Sequence, residues 1–381
     1  ESYGPAELRL AILGIGLSGF VAMLYQVAWT RLLALAMGSS THAFSLMLIT
    51  FITGLTVGAW IVYRWRSLRR SLAAFAWAEL ALALTVGLSL FFYEFLPYWF
   101  GRLADLLARR PEAYSLYHGL QGLLCFAVMF VPTVCLGMTL PLVTRAATPS
   151  LDRAGRTVGR VFAVNTVGTV LGAALTGLVL MPRLGLAGTF ALGVTVNLLI
   201  GLVILVRVER GAKRLIAIGA SGLFVVLLAA STPFLARCWQ NALTLGVFRP
   251  RGLATNWRDY HRGLQEGKPL FYRDGAGATV SVHTGENPET DLFLKVNAKT
   301  DASTLGDMTT QLLAGHLPLL LHPESTNVLV IGLGSGVTAG AITAHSSVQA
   351  IDVVEISPEV VQASRLFDPY NRNVLRDPRV R

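Results

Sequence analysis

Three glycines alternate with other residues in the segment 328–341, which has the sequence VLVIGLGSGVTAGA. Gly332, Gly334 and Gly336 follow an apolar run that predicts a strand, and they precede a run that predicts a helix. Glycine has no Cβ, so the backbone can turn sharply there and approach a ligand closely. This order of elements is typical of a nucleotide-binding loop, although a lone glycine turn is also compatible with a purely structural role.

An acidic residue follows the next predicted strand, which has the sequence AIDVVEI. Glu355 lies near its end, 19 residues after Gly336. Nucleotide-binding folds place an acid at about this spacing, where its carboxylate accepts hydrogen bonds from ribose hydroxyls. Position 337 is Val, so the turn lacks the full GxGxxG pattern. The sequence therefore favours an adenosyl ligand of the methyltransferase type over a dinucleotide.

The chain that carries this loop is unusually apolar. Hydrophobic residues make up 53% of the 381 residues and charged residues only 14%, whereas about a quarter of a soluble domain is charged. A helix of about 20 apolar residues crosses the hydrocarbon core of a bilayer. Seven apolar runs of this length predict membrane spans over residues 8–30, 41–63, 71–92, 118–144, 158–181, 186–206 and 214–233.

The residue pattern changes after the last predicted span. The segments ATVSVHTG and DLFLKVN alternate apolar and polar residues, which predicts a small antiparallel sheet. We expect a transmembrane helical bundle over residues 1–233, a linker and small β-rich subdomain with a helix over 234–322, and the first part of a Rossmann-like α/β domain over 323–381. The terminal sequence DPRVR predicts the entry to a further strand, so the expected Rossmann sheet continues past residue 381.

Positive charge is concentrated in the apolar part of the chain. Residues 1–235 hold 18 Lys and Arg against 8 Asp and Glu, and residues 236–381 hold 14 against 14. The loops 64–70, 145–160 and 207–214 carry four Lys or Arg each. The positive-inside rule places these loops and the N-terminus in the cytoplasm, and seven spans then place the C-terminal domain outside. This distribution argues against nucleic-acid binding, which requires a basic face on a folded domain.

Four polar residues fall inside the predicted spans. Polar groups are costly in lipid and often line a transport pathway. Gln26, His42 and Asn165 are also compatible with simple bridging between helices, and Glu79 with pairing to an arginine near the membrane boundary. The three cysteines show no metal-ligand spacing, so the sequence gives no metal site and packing is the preferred interpretation.

The segments around the glycine turn resemble those of the polyamine (spermidine) synthase family. The resemblance lies in LKVNAKTDAS, in DMTTQLLAGHLPLLLHPESTNVLVIGLGSGVTAGA, in DVVEISPEVVQASRLF and in DPRV. The apolar half resembles the bacterial membrane branch described as fused transporter-like/spermidine synthase proteins, in LSGFVAMLYQVAWTRLLALAMGSSTHAFSLMLITFITGLTVGAW and GRVFAVNTVGTVLGAALTGLVLMPRLG.

The resemblance implies aminopropyl transfer from decarboxylated S-adenosylmethionine to a small amine. It implies that Gly332, Gly334 and Gly336 form the adenosyl-binding turn and that Glu355 is the ribose acid. It implies that an acidic side chain, in its ionised form, acts as the general base that deprotonates the attacking amine, because only a neutral amine is nucleophilic. The family's catalytic acid follows the strand that begins at PRV, so we expect it beyond residue 381.

Several positions depart from the family pattern. Ser335 and Ser357 stand where the soluble synthases carry Asp, and Asp301 occupies the place of a ligand-binding Gln. Thr310, Gln311 and Leu312 stand where the soluble enzymes show Tyr-His-Glu, so Gln311 is the expected substrate contact. These departures leave open a second interpretation, a non-catalytic or transport-linked membrane protein that uses the synthase-like domain as a binding module. In either case the expected partners are membrane lipid, a small amine and a second copy or a membrane-complex subunit.

Overall fold

The fold is described from a computed structural model of the chain, which covers residues 3–38, 41–107, 111–148, 154–248, 256–285, 287–288 and 290–381. The chain forms two compact units, Glu1–Trp239 and Gln240–Arg381. The first unit is helical and the second contains both sheets. The boundary lies slightly C-terminal to the change of residue pattern at position 234.

Long apolar helices build the first unit. In the described part of the chain, six continuous helices are long and apolar enough to cross a membrane. The third of these stretches ends in a short helix in which Leu96, Phe100 and Ala104 are buried. These residues are four positions apart, so they lie on one face of the helix. The helices of the unit are α1 (Pro5–Met37), α2 (Thr41–Arg64), α3 (Ser71–Ser89), α4 (Leu96–Leu107), α5 (Tyr114–Ala147), α6 (Ala154–Leu175), α7 (Met181–Val208) and α8 (Ala212–Leu243).

The fifth and sixth predicted spans form one continuous helical stretch, Ala154–Val208. A π-helical turn, Thr176–Leu180, joins α6 to α7, and Gly185 has non-helical dihedral angles of φ 69° and ψ 177°. A stretch of 55 residues would be about 80 Å long as a straight helix, which exceeds the thickness of a bilayer. The positive φ of Gly185 therefore marks the point where this stretch bends.

Contacts with α1 show that α6 and α7 run in opposite directions. Along the contact between α6 and α1, residue numbers increase in the same direction in both helices. Along the contact between α7 and α1, they increase in opposite directions. The contacts that show this are Gly168 with Gly16, Gly172 with Phe20, Gly193 with Tyr25, and Gly14 with Ile204. The two predicted spans are thus two antiparallel segments of the bundle.

The arginine-rich loops meet at one end of the helical unit. Arg70 forms an ion pair of 2.9 Å with Glu209 and donates a hydrogen bond to the Val208 carbonyl. The guanidinium of Arg145 donates to the carbonyls of Trp65, Arg66 and Leu68. Residues from the loops 64–70, 145–160 and 207–214 are therefore neighbours, and the charge asymmetry of the sequence is an asymmetry of the folded unit.

The second unit begins with an antiparallel meander, as the alternating segments predict. The strands pair in the order β1-β2-β3-β4. Their inward side chains include Val280, Val282 and Leu294, which are fully buried against Val360 and Phe367. The elements up to this point are α9 (Trp257–Glu266), β1 (Phe271–Asp274), β2 (Thr279–Thr284), β3 (Leu292–Val296) and β4 (Lys299–Ser303).

A helix and a parallel strand pair follow. Strands β5 and β6 pair in parallel from Asn327↔Ala350 to Ile331↔Val354. Val380 forms a further parallel bridge with Ile351, which confirms that DPRVR enters the sheet as a strand beside β6. The elements are α10 (Met308–Leu321), β5 (Asn327–Ile331), α11 (Val337–Ile342), β6 (Ala350–Val354), α12 (Pro358–Ser364) and α13 (Asp368–Asn371).

Candidate functional site

The three glycines of the turn all have left-handed backbone angles, with φ of 89° at Gly332, 57° at Gly334 and 82° at Gly336. An added Cβ at Gly332 or Gly334 would meet no atom within 4 Å, whereas at Gly336 it would lie 2.8 Å from the side-chain nitrogen of Asn371. Gly336 is therefore required for packing. The other two leave bare backbone beside open space, as close approach of a ligand requires.

Glu355 forms hydrogen bonds to both loops that follow the parallel strands. Its Oε2 accepts a hydrogen bond of 2.9 Å from the Leu333 amide, and its Oε1 accepts one of 2.9 Å from the Ser357 amide. Ligands of open α/β sheets bind at this edge. A carboxylate offers about four acceptor positions, so two amide donors leave capacity for the hydroxyls of a ribose.

Two of the departures from the family pattern contact each other. The Ser335 hydroxyl donates a short hydrogen bond to the side-chain oxygen of Gln311, and Gln311 donates 2.8 Å to the Ser303 carbonyl. Ser335 is only 2% exposed. The serine and the glutamine therefore form one uncharged contact between the turn and α10, where the soluble synthases carry an acid and a Tyr-His-Glu sequence.

Sequence reasoning missed Asn371, which holds the turn from the opposite side. Its side-chain nitrogen donates to the carbonyls of Ser335, at 2.9 Å, and Ser364, at 3.1 Å. Asn371 is fully buried, so both bonds are shielded from water and strengthened by the low local dielectric. No local sequence signal identifies it, because its partners lie on other elements.

The predicted ligand residue Asp301 lies in an irregular part of β4. The register shifts between Leu294 and Lys295 of β3, and this leaves Asp301 as the extra residue of a β-bulge. Its carboxylate forms an ion pair of 2.8 Å with Lys299. The contacts of the turn come instead from Gln311, Asn371 and Glu355, so the role of Asp301 stays a prediction.

A second buried group of side chains occurs in the meander and was not predicted. His283 on β2 contacts the Gly267 carbonyl and the Ser281 hydroxyl, both at 3.1 Å. Burial lowers the pKa of His283 to about 3, with a smaller effect from the charge of Lys295. Burial also lowers the pKa of the Lys295 ammonium to about 8.

In the helical unit, Glu79 lies at the centre of a buried polar network. The Asn197 amide donates 2.6 Å to Glu79 Oε2, and the Tyr25 hydroxyl donates 2.8 Å to Asn197 Oδ1. All three side chains are fully buried. The alternative in which Glu79 pairs with an arginine is wrong, because its partner is an uncharged amide. Asn197 was detectable from the sequence as a polar residue in an apolar run.

The other predicted membrane polar residues do not join this network. His42 is exposed and its ring lies 5.0 Å from that of His118. The main-chain carbonyl of Gln26 accepts a hydrogen bond from Thr30. Asn165 packs over Gly19 of the neighbouring helix. A pathway that joins all four residues therefore stays a prediction.

Comparison with known proteins finds relatives that match almost the whole chain and a family model that matches its C-terminal part. Residues 308–381 match the spermine/spermidine synthase domain family. "Polyamine aminopropyltransferase 1" of Streptomyces coelicolor is 26% identical over 98% of this chain, and the chain spans 64% of its length. "Polyamine aminopropyltransferase" of Oceanobacillus iheyensis is 22% identical over 96% of the chain and is likewise spanned over 64% of its length.

A shorter sequence match and a structural match are also found. "Polyamine aminopropyltransferase" of Lachnoclostridium phytofermentans is 42% identical over 17% of the chain, covering 23% of that protein. The solved spermidine synthase from Thermotoga maritima is 23% identical, with a TM-score of 0.28 over 30% of this chain and 40% of that one. The sequence matches support a spermidine synthase-like family, and the family model matches residues 308–381 of the C-terminal unit.

Proposed function

We propose that the protein is an integral membrane, spermidine synthase-like protein that binds decarboxylated S-adenosylmethionine and transfers its aminopropyl group to an amine. The observation that carries the proposal is the turn at 332–336, where bare backbone faces open space beside the loops joined by Glu355. The match of residues 308–381 to the synthase domain family supports the same ligand class.

Each residue of the turn has a separate part in binding. Gly332 and Gly334 leave room for the adenosyl group against the backbone, and Glu355 accepts hydrogen bonds from its ribose. Gln311 and Asn371 hold the turn in its shape through Ser335. When bound, the nucleoside supplies an aminopropyl carbon that forms a bond to the amine nitrogen, while its bond to sulfur breaks, sulfur keeps the electron pair and the amine proton leaves to a base.

Calorimetry of the protein in lipid nanodiscs tests the proposal. We expect decarboxylated S-adenosylmethionine to bind, and ordinary S-adenosylmethionine to bind at least tenfold more weakly. Gly334→Val should abolish binding of both, because its side chain would occupy the open space. Gly277→Ala, at a glycine of the β1–β2 turn with open surroundings, is the matched control. If neither nucleoside binds the unaltered protein, the proposal fails.

We also propose a membrane orientation, with the arginine-rich end of the helical unit in the cytoplasm and the chain leaving α8 on the outer side. The alternating directions of the helices support this, since α3 and α8 run in parallel, as contacts of Gly87 with Phe224 and of Tyr93 with Trp239 indicate. A reporter enzyme that is active only outside the cytoplasm should show activity when it is fused after Ser231, and a reporter that is active only in the cytoplasm should not. The opposite pair of results would reverse the orientation.

One observation favours the second candidate function, a binding module without catalysis. Ser335 and Gln311 form an uncharged contact at positions where the soluble synthases carry charged or ionisable side chains. A binding module would bind the nucleoside and release it unchanged. Mass spectrometry of the bound nucleoside after incubation with a mixture of amines separates the two functions, because only the enzyme yields the neutral methylthio nucleoside that remains when the sulfonium loses its aminopropyl group.

A further inference from the structure

The helical unit contains a cavity of about 280 Å³ between α1, α2, α5 and α6. Most of its wall is apolar, and includes Met23, Phe51 and Leu136. Polar side chains lie among these residues, and they are Ser18, Thr139, Asn165 and Thr169. A volume of this size is at the lower limit of small-molecule sites, so it suits a ligand of only a few heavy atoms.

Ser18 connects the cavity to the buried acid. Its side chain lines the cavity, the residue is 1% exposed, and its hydroxyl makes no well-formed hydrogen bond. The same hydroxyl faces the Glu79 carboxylate. A hydroxyl is both a donor and an acceptor, so the Ser18 oxygen can accept a hydrogen bond from a ligand in the cavity while its proton is directed to Glu79.

Glu79 lacks a balancing positive charge. The Asn197 amide donates to Oε2, whereas Oε1 makes no well-formed hydrogen bond. Among the residues that the structure describes, the ion pairs all involve other acids. A carboxylate buried in apolar surroundings is stable as an ion only beside a cation, so the site is suited to a ligand that brings one.

We infer that this cavity binds a small aliphatic amine as its ammonium ion. The ammonium lies at the Ser18 end, where it donates to the Ser18 hydroxyl and is balanced by the Glu79 carboxylate behind it. The hydrocarbon part lies along Met23, Phe51 and Leu136. One carboxylate matches one ammonium, so a primary monoamine is the simplest ligand of this site.

Binding of n-butylamine to the full protein in lipid nanodiscs tests the inference, with n-butanol as the uncharged ligand of similar size. Empty nanodiscs provide the correction for partition into lipid. We expect saturable binding of n-butylamine and at least tenfold weaker binding of n-butanol. Equal binding of both would overturn the inference and would indicate an apolar occupant such as a lipid chain.

Two variants locate the site. Glu79→Gln keeps the acceptor for Asn197 and removes the charge, and Ala59→Leu fills the cavity from α2. Each should weaken n-butylamine binding at least tenfold. Glu112→Gln makes the same charge change at an exposed position and should leave binding unchanged. If Glu79→Gln and Ala59→Leu bind n-butylamine like Glu112→Gln while their melting temperatures stay normal, the cavity is not the site.

The inference is independent of nucleoside binding at the glycine turn, and the same variants separate the two. Glu79→Gln should bind decarboxylated S-adenosylmethionine normally, whereas Gly334→Val should bind n-butylamine normally. A variant that lost both ligands would indicate misfolding, which thermal melting of the same nanodisc sample detects. Loss of n-butylamine binding in Gly334→Val with normal melting would place the amine in the C-terminal unit and overturn the inference.

Discussion

The two units use glycine for opposite physical reasons. In the helical unit, Gly58, Gly168 and Gly172 keep helical angles, and an added Cβ at each would overlap a main-chain carbonyl of a neighbouring helix. In the second unit, Gly332 and Gly334 have positive φ, and an added Cβ would enter empty space. Glycine lets helices pack closely in the first unit and leaves open space beside the backbone in the second.

This difference separates structural glycines from functional ones. A glycine enclosed by main chain is needed for the fold itself, so its replacement should change stability. A glycine beside open space with a strained angle has no packing reason to be there, which points to a binding role. Gly336 combines both features, since it has positive φ and yet packs against Asn371.

The largest expected effect comes from Gly168→Ala. The new methyl group would overlap the Gly16 carbonyl of α1, and overpacking of this kind costs up to about 3 kcal/mol. Gly159→Ala is the matched control on the same helix, because Gly159 is exposed with nothing within 4 Å, and we expect it to raise stability slightly. Thermal melting in detergent measures both. Equal melting temperatures would contradict close packing of α1 and α6.

The second effect is a pH dependence confined to the meander. The pKa of His283 is about 3 in the folded unit and about 6.5 in an unfolded chain. The unfolded state therefore binds more protons between these values, so stability is present above pH 6.5 and is lost as the pH falls toward 3. We expect a loss of about 2 kcal/mol between pH 7 and pH 5.

Hydrogen exchange of the β2 amides at these two pH values measures the effect. His283→Gln cannot take up the proton, so its protection should change much less over the same interval. An equal change in both proteins would assign the pH dependence to other groups. Helices of the first unit provide the internal reference in the same experiment.

Gly334→Ala tests, through ligand binding, whether the open space beside the turn is a binding site. An L-residue at φ 57° costs about 1–2 kcal/mol, and its methyl group occupies the open space of the turn. We expect at least tenfold weaker binding of decarboxylated S-adenosylmethionine with the parallel sheet intact. Calorimetry measures the affinity, and Gly277→Ala serves as the control. Unchanged affinity would mean that the open space is not the nucleoside site.

The smallest effect concerns the contact between the turn and α10. Ser335→Ala removes the hydrogen bond to Gln311, which contributes about 1 kcal/mol. A double-mutant cycle with Gln311→Leu should give a coupling energy of that size in the stability of the C-terminal unit. Additive effects of the two substitutions would show that the contact does not stabilise the turn.

The sequence predicted the elements that rest on local pattern. The apolar runs predicted the long helices, and the alternating segments predicted β2 and β3. The glycine turn and Glu355, each of which follows an apolar run, predicted the parallel strands β5 and β6. These features depend on residues close together in the chain. The arginine-rich loops also followed from local composition, and the ion pair of Arg70 with Glu209 brings two of them together.

The sequence did not predict contacts between distant residues. Ser335 and Gln311 were noted separately as departures from a family pattern, and only the fold brings them together. The arginine considered as one alternative partner of Glu79 was wrong. The observed partner, Asn197, lies 118 positions away, and no spacing rule connects the two residues. The spans 158–181 and 186–206 were predicted separately, and the sequence did not show that they are joined through a π-helical turn and Gly185 without an intervening loop.

The most direct test of the account is hydrogen exchange of the full protein with and without decarboxylated S-adenosylmethionine. We expect the ligand to slow exchange in peptides that cover 331–337 and 355–357, because these segments meet at Glu355. Peptides around the tightly packed Gly168 should exchange at the same rate in both samples. Protection at Gly168 without protection at 331–337 would contradict the assignment of the glycine turn as the nucleoside site.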